Sequence, residues 1–99
     1  MTAYLIVQQT IRDATKLEEY RIKVAPILAK YGGGFLTKSG SHKLLEGACR
    51  LPDRVAIIEF PDMAALNTWY NSSEYQPLIA LRQSAVNRDT ETLITLEGA

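Results

Sequence analysis

Tyr4-Leu5-Ile6-Val7 and Val55-Ala56-Ile57-Ile58 decide the fold of this 99-residue chain. Both stretches are apolar without a break. Side chains along a strand alternate between two faces, so Tyr4 and Ile6 look one way while Leu5 and Val7 look the other. Each stretch, read as a strand, therefore needs cover on both sides. The helices available in so short a chain cover one side. The second apolar face is left as an association surface, and the simplest cover for it is another copy of the chain.

Outward from these strands, Thr15-Lys16-Leu17-Glu18 has capping-box spacing and predicts a helix start at Thr15. Leu17, Tyr20, Val24, Ile27, Leu28 and Tyr31 then recur every three or four residues, with Lys16, Glu19 and Lys23 on the opposite side, which makes the helix amphipathic. Pro26 removes an amide donor and predicts a kink, and Gly32-Gly33-Gly34 ends the helix. Phe35-Leu36-Thr37-Lys38 reads as a second strand. After a bend at Ser39-Gly40-Ser41 it is expected to resume through Lys43-Leu44-Leu45-Glu46.

Gly47 to Asp53 reads as a loop, and the third strand runs from Arg54 to Phe60. Asp62 is placed to cap a second helix with Ala65, Leu66, Trp69 and Tyr70 on one face. Asn71-Ser72-Ser73 breaks that helix. Ser73-Glu74-Tyr75-Gln76, another capping-box spacing, predicts a short continuation carrying Leu78, Ile79 and Leu81, and Glu91 to Leu96 is the last strand. The order is βαββαβ in an α+β chain. Strands one and three belong in the centre of an antiparallel sheet of order 4132, because strands two and four carry Thr, Lys and Glu. Right-handed crossovers then put both helices on one face.

Composition narrows the function classes. Hydrophobic residues at 46% and charged residues at 22% are ordinary for a globular domain, and residues 1–99 suffice for one core. Eleven basic side chains balance eleven acidic ones, so no net field gathers nucleic acid or anionic lipid, and neither is expected as a partner. Cys49 is alone and forms no intrachain disulfide. Together with the lack of a basic leader before the first apolar stretch, this predicts a cytoplasmic protein. No apolar run approaches the roughly 20 residues that span a bilayer.

Several stretches occur in an order that is hard to reach by chance: Tyr20-Arg21 followed by Pro26, Tyr31-Gly32-Gly33 with Phe35-Leu36, Leu45-Glu46-Gly47, Glu59-Phe60-Pro61, Trp69-Tyr70, Ser73-Glu74-Tyr75-Gln76 and Arg82. In these the chain resembles the bacterial family called domain of unknown function 1330, within the ferredoxin-like dimeric α/β-barrel superfamily. It departs from the family pattern at Gly34, where Arg is usual, and at Lys38-Ser39-Gly40, where Arg-Gly-Gly is common. The resemblance implies a dimeric barrel with a cavity between helices and sheet. It also implies relatives that include cofactor-free monooxygenases, isomerases and haem-degrading proteins, among which fold does not choose.

The candidate chemistry is sparse. His42, the only histidine, is either a solvated turn residue or an acid-base group; a metal site built on it lacks ligands at the right spacing, and no metal or cofactor is expected. Glu59 shares a face with Val55 and Ile57 and is either a desolvated base or the partner of Arg82 or Arg54 in an ion pair, the pairing being the simpler reading. Trp69, Tyr70 and Tyr75 flank the break in the second helix as core or as the lining of an aromatic recess, and Tyr4 and Tyr20 share that ambiguity. The Gly triplet follows a helix and precedes a strand, the reverse of a phosphate loop.

These observations support two readings. In the first, a cytoplasmic homodimer binds a small organic molecule through Tyr4, Trp69, Tyr70, Tyr75 and Arg82. In the second, it is a cofactor-independent monooxygenase or isomerase with Glu59 or His42 moving the proton. A haem-handling protein would have to use His42 as the axial ligand.

Overall fold

A computed structural model describes all 99 residues. Strand β1 (Ala3–Gln9) is followed by helix α1 (Ala14–Lys30), strands β2 (Gly34–Phe35) and β3 (Arg54–Phe60), helices α2 (Met63–Tyr70) and α3 (Gln76–Ala85), and strand β4 (Thr92–Glu97). The four strands form one sheet in the order β2-β3-β1-β4, antiparallel at every pairing. This is the predicted 4132 arrangement and a ferredoxin-like fold. No helix is long and apolar enough to cross a membrane.

Register sorts the residues onto two faces. Ile6 lies opposite Ile57 on one side and Ile94 on the other, and Tyr4 lies opposite Glu59 and Leu96. The alternate positions Ala3, Leu5 and Val7, with Ile58 and Phe60 of β3, are buried beneath the helices and join Leu17, Val24, Leu28, Leu66 and Trp69 in one core. On the outer face Ile94 and Leu96 are about half exposed, at 46% and 50%. The uninterrupted apolar strands thus supply both the core and a bare apolar surface.

Two local expectations need correction. Helix α1 starts one residue earlier than Thr15: Asp13 is the cap, its Oδ1 accepting the Lys16 N–H at 3.0 Å, and Thr15 lies inside the first turn. Helix α3 has no side-chain cap from Ser73; Ser72 Oγ instead accepts the Tyr75 N–H at 3.1 Å. Helix α1 continues on both sides of Pro26, which lies at an exposed position.

The long second strand does not form. Its ladder stops after Leu36 donates to the Ile57 carbonyl at 2.8 Å, because the next donor, Ile57 N–H, is taken by the Thr37 hydroxyl at 3.0 Å. From Leu36 to Asp53 the chain has no regular element. His42 Nε2 lies 2.8 Å from the Pro52 carbonyl, and Asp53 accepts the Ile11 N–H at 2.9 Å, so the segment is tied at its far end.

The glycine stop after α1 is required on two counts. Gly32 has φ +82°, and a Cβ on Gly33 would fall 2.7 Å from the Phe60 ring. Gly33 N–H closes the helix end on the Leu28 carbonyl at 2.8 Å.

Candidate functional site

A chain of polar side chains is buried under the helices. Its origin lies in strand alternation: Gln9 occupies the fourth inward position of β1 after Ala3, Leu5 and Val7, where an apolar residue is the rule, and is fully buried. Gln9 Nε2 donates to Glu91 Oε2 at 2.8 Å, which turns its carbonyl toward Arg54, whose Nη1 donates to it at 2.7 Å. Arg82, on the inward side of α3, donates through Nε to the same Glu91 oxygen at 3.2 Å and through Nη1 to Tyr75 Oη at 2.6 Å. Tyr75 Oη lies 2.8 Å from Tyr20 Oη. Six residues from five segments thus form one connected run from α1 to β3.

Burial and charge determine the protonation along this run. Burial is the main cause that raises the Tyr20 hydroxyl well above its ordinary range, reinforced by Tyr75, so Tyr20 stays a neutral donor. Tyr75 is raised as well, again chiefly by burial, against the pull of Arg82. Burial also works against the Arg82 charge, but Tyr75 and Glu91 outweigh it and the group is held more firmly protonated. Arg54 differs. Burial pulls it down, Tyr20 opposes that, and the like charge of Arg21 adds to it.

Space opens along this wall. A cleft of about 240 Å³ between α1 and the β2–β3 edge is lined by Ile11, Leu17, Tyr20, Val24, Phe35 and Arg54, with Glu18 and Arg21 at its rim. Tyr20, Val24, Phe35 and Arg54 also border an inner cavity of about 20 Å³, whose far walls include Trp69, Arg82 and Gln9. That cavity has room for about one water molecule. The Trp69 Nε1–H is buried without a hydrogen-bond acceptor.

The residues expected at a site are scattered by this arrangement. Arg82 and Trp69 border the inner cavity, and Tyr75 stands behind Tyr20. Trp69 and Tyr75 pack against each other with ring centroids 4.1 Å apart, tilted by 37°, and are almost wholly buried, so the expected recess at the helix break is filled core. Tyr70 packs on their outer side and is 37% exposed. Tyr4 points to the opposite face of the sheet, opposite Glu59 and Leu96.

Glu59 makes none of the ion pairs expected of it. It lies on the outer face, whereas Arg82 is on the helix side and pairs with Glu91, and Arg54 is engaged by Gln9. His42 is not a freely solvated turn residue: it holds the Pro52 carbonyl in the loop, away from the cleft. No group of three or more His, Cys, Asp or Glu side chains is placed to hold a metal ion.

Gln9 and Glu91 are the site residues that sequence reasoning did not name as candidates; Tyr20 was weighed there as core or recess lining, and Arg54 only as an ion-pair partner of Glu59. One signal was available: Gln9 is a polar residue in phase with the inward positions of an apolar strand, which calls for a buried partner.

The sequence matches the family described as Domain of unknown function (DUF1330) over residues 2–98. The chain belongs to this family. A family member is thus seen here with its strand pattern and its Tyr20–Arg54 cleft in one frame. Among solved structures the chain is similar to a protein of unknown function from Rhodopseudomonas palustris, 22% identical over 99% of this chain and 82% of that one, with a TM-score of 0.81. A dimeric ferredoxin-like protein of unknown function from Jannaschia sp. CCS1 is 16% identical over 99% of this chain and all of that one, with a TM-score of 0.69. SnoaB, a cofactor-independent oxygenase from Streptomyces nogalater, is 16% identical over 99% and 93%, with a TM-score of 0.67. No curated protein matches the chain.

Proposed function

We propose that this family member binds a small organic molecule in the cleft between α1 and the sheet, as a homodimer joined through the outer sheet face. One observation carries the binding reading: Tyr20 of α1 and Arg54 of β3, the two ends of the buried polar run, both line a mainly apolar cleft of about 240 Å³. A few convergent polar groups in an apolar lining are the usual composition of a small-molecule site. Trp69, which borders the small inner cavity that shares Tyr20, Val24, Phe35 and Arg54 with the cleft, supplies a nearby optical probe.

The dimer reading rests on the row Ile57-Ile6-Ile94, extended by Leu96, Val55 and Tyr4, which burial within one protomer leaves without cover. The Jannaschia protein of the same fold is dimeric. The oxygenase reading has less to stand on. The cleft contains no histidine, its only carboxylate is the rim residue Glu18, which is engaged by Arg21 at 2.7 Å, and Glu59 and His42 lie elsewhere.

Thermal melts and Trp69 fluorescence against a panel of aromatic and unsaturated carbonyl compounds test the binding. Ligands that fit raise the melting temperature with occupancy and change the Trp69 emission. A panel that moves neither rejects the cleft as a binding site. Sedimentation over a dilution series tests the assembly, and a stable, folded single subunit at every concentration rejects it.

A further inference from the structure

The buried polar run does not balance its charge. The run holds two guanidiniums, Arg82 and Arg54, and one carboxylate, Glu91, whose Oε2 accepts from Arg82 and Gln9. What Arg54 receives is the neutral Gln9 carbonyl at 2.7 Å and the face of the Phe35 ring at 5.8 Å from its carbon. No carboxylate lies within ion-pair distance of it. A half-buried guanidinium without a counter-ion is costly, and burial ordinarily selects paired charges.

The hydroxyls add a direction. Arg82 has only donors, so Tyr75 Oη accepts from it. Tyr75 is fully buried, and the only acceptor near its own proton is Tyr20 Oη. The donors therefore run from Arg82 to Tyr75 to Tyr20. That leaves the Tyr20 proton with no acceptor in the protein, on a side chain that borders the cleft beside Arg54.

Resting on the cleft reading above, we infer that the ligand is an organic acid or enolate: a flat apolar body bearing one delocalised oxyanion, received by the Arg54 guanidinium and the Tyr20 O–H together. The anion completes the charge of the buried run, and the apolar body lies against Leu17, Val24 and Phe35. Guanidinium matches a planar oxyanion with two parallel donors, and its hydrogen bonds to charged oxygen are stronger than those to a neutral carbonyl. Arg21, at the rim, is paired with Glu18 at 2.7 Å.

The test compares 2-naphthoate with its neutral isostere 2-naphthamide by calorimetry and Trp69 quenching on the full chain at pH 7. Naphthoate is expected to bind at least about tenfold more tightly. Arg54→Gln should bring the two within about threefold by weakening naphthoate alone, and Arg88→Gln, an exposed cation outside the cleft, should leave the ratio as it is. Equal affinities in the unsubstituted protein overturn the oxyanion inference while the cleft reading stands. A preference that survives Arg54→Gln, in a variant whose melt shows it folded, overturns the assignment to Arg54. Binding of neither probe removes the cleft reading and this inference with it. The comparison in the unsubstituted protein needs no variant, so a failure of Arg54→Gln to fold leaves it decisive.

Discussion

The two faces of the sheet are made from the same kind of residue and do opposite things. On the helix side, Leu5, Val7, Ile58 and Phe60 are covered by α1, α2 and α3, and the polar run from Gln9 to Tyr20 is stitched into that cover. On the outer side, Ile6, Ile57 and Ile94 stand in register with nothing above them. Hydrophobicity alone does not distinguish the faces. What distinguishes them is whether the protomer's own chain reaches over the face, and right-handed crossovers send all the helices one way.

Breaking the helix side should cost most. Trp69→Ala removes the largest fully buried side chain and is expected to destabilise the fold by about 3–5 kcal/mol in urea unfolding. Glu91→Gln leaves Arg82 buried without its counter-charge, at a cost of about 3 kcal/mol. The double variant Glu91→Gln with Arg82→Met should recover a substantial part of that loss, because the penalty belongs to an unpaired charge and not to a missing contact. If the double variant is no more stable than Glu91→Gln, the charge argument for this face fails.

On the outer face the same kind of insult should spare the fold. Ile94→Asp is expected to weaken self-association by roughly 10- to 100-fold in sedimentation while leaving the circular dichroism of the protomer unchanged. Loss of folding instead would mean that the outer face supports the protomer itself.

A smaller effect is expected in alkali. Tyr20 and Tyr75 hold their protons more tightly in the folded chain than the ordinary value of 10. Their contribution to stability is therefore complete below about pH 10 and declines as pH rises past it, since the unfolded chain releases those protons first. Tyr20→Phe should flatten that alkaline slope in a series of melts. Least of all, Lys23→Ala, which removes an exposed bridge to Glu19 on α1, should leave the melting temperature unchanged within error.

Much of the architecture was legible along the chain. Alternation marked β1 and β3, three-and-four spacing marked α1, Asp62 marked the cap of α2 and Gly32-Gly33 the end of α1. The misread pieces share a cause: Thr37, Ser72 and Asp13 carry short polar side chains that compete for backbone donors, and which donor each wins depends on neighbours that local spacing does not show. The site was less legible. Trp69 and Arg82 were singled out and border the inner cavity; Glu59 was correctly grouped on one face with Val55 and Ile57, but local spacing does not say which face the helices cover, and that puts Glu59 and Tyr4 on the side away from the cleft.

Taken alone, the amino-acid order determined the two central strands, the helices and the surplus of apolar surface, though not the short extent of β2, because these follow from side-chain period and local backbone preference. Tertiary structure alone decided that Gln9, Tyr20, Arg54, Tyr75, Arg82 and Glu91 meet, with Gln9 and Glu91 separated by 82 positions. Hydrogen bonds and charge pairing act over a few ångströms of space, and only the folding of α1, α3 and the sheet edge over one another brings those groups within that range.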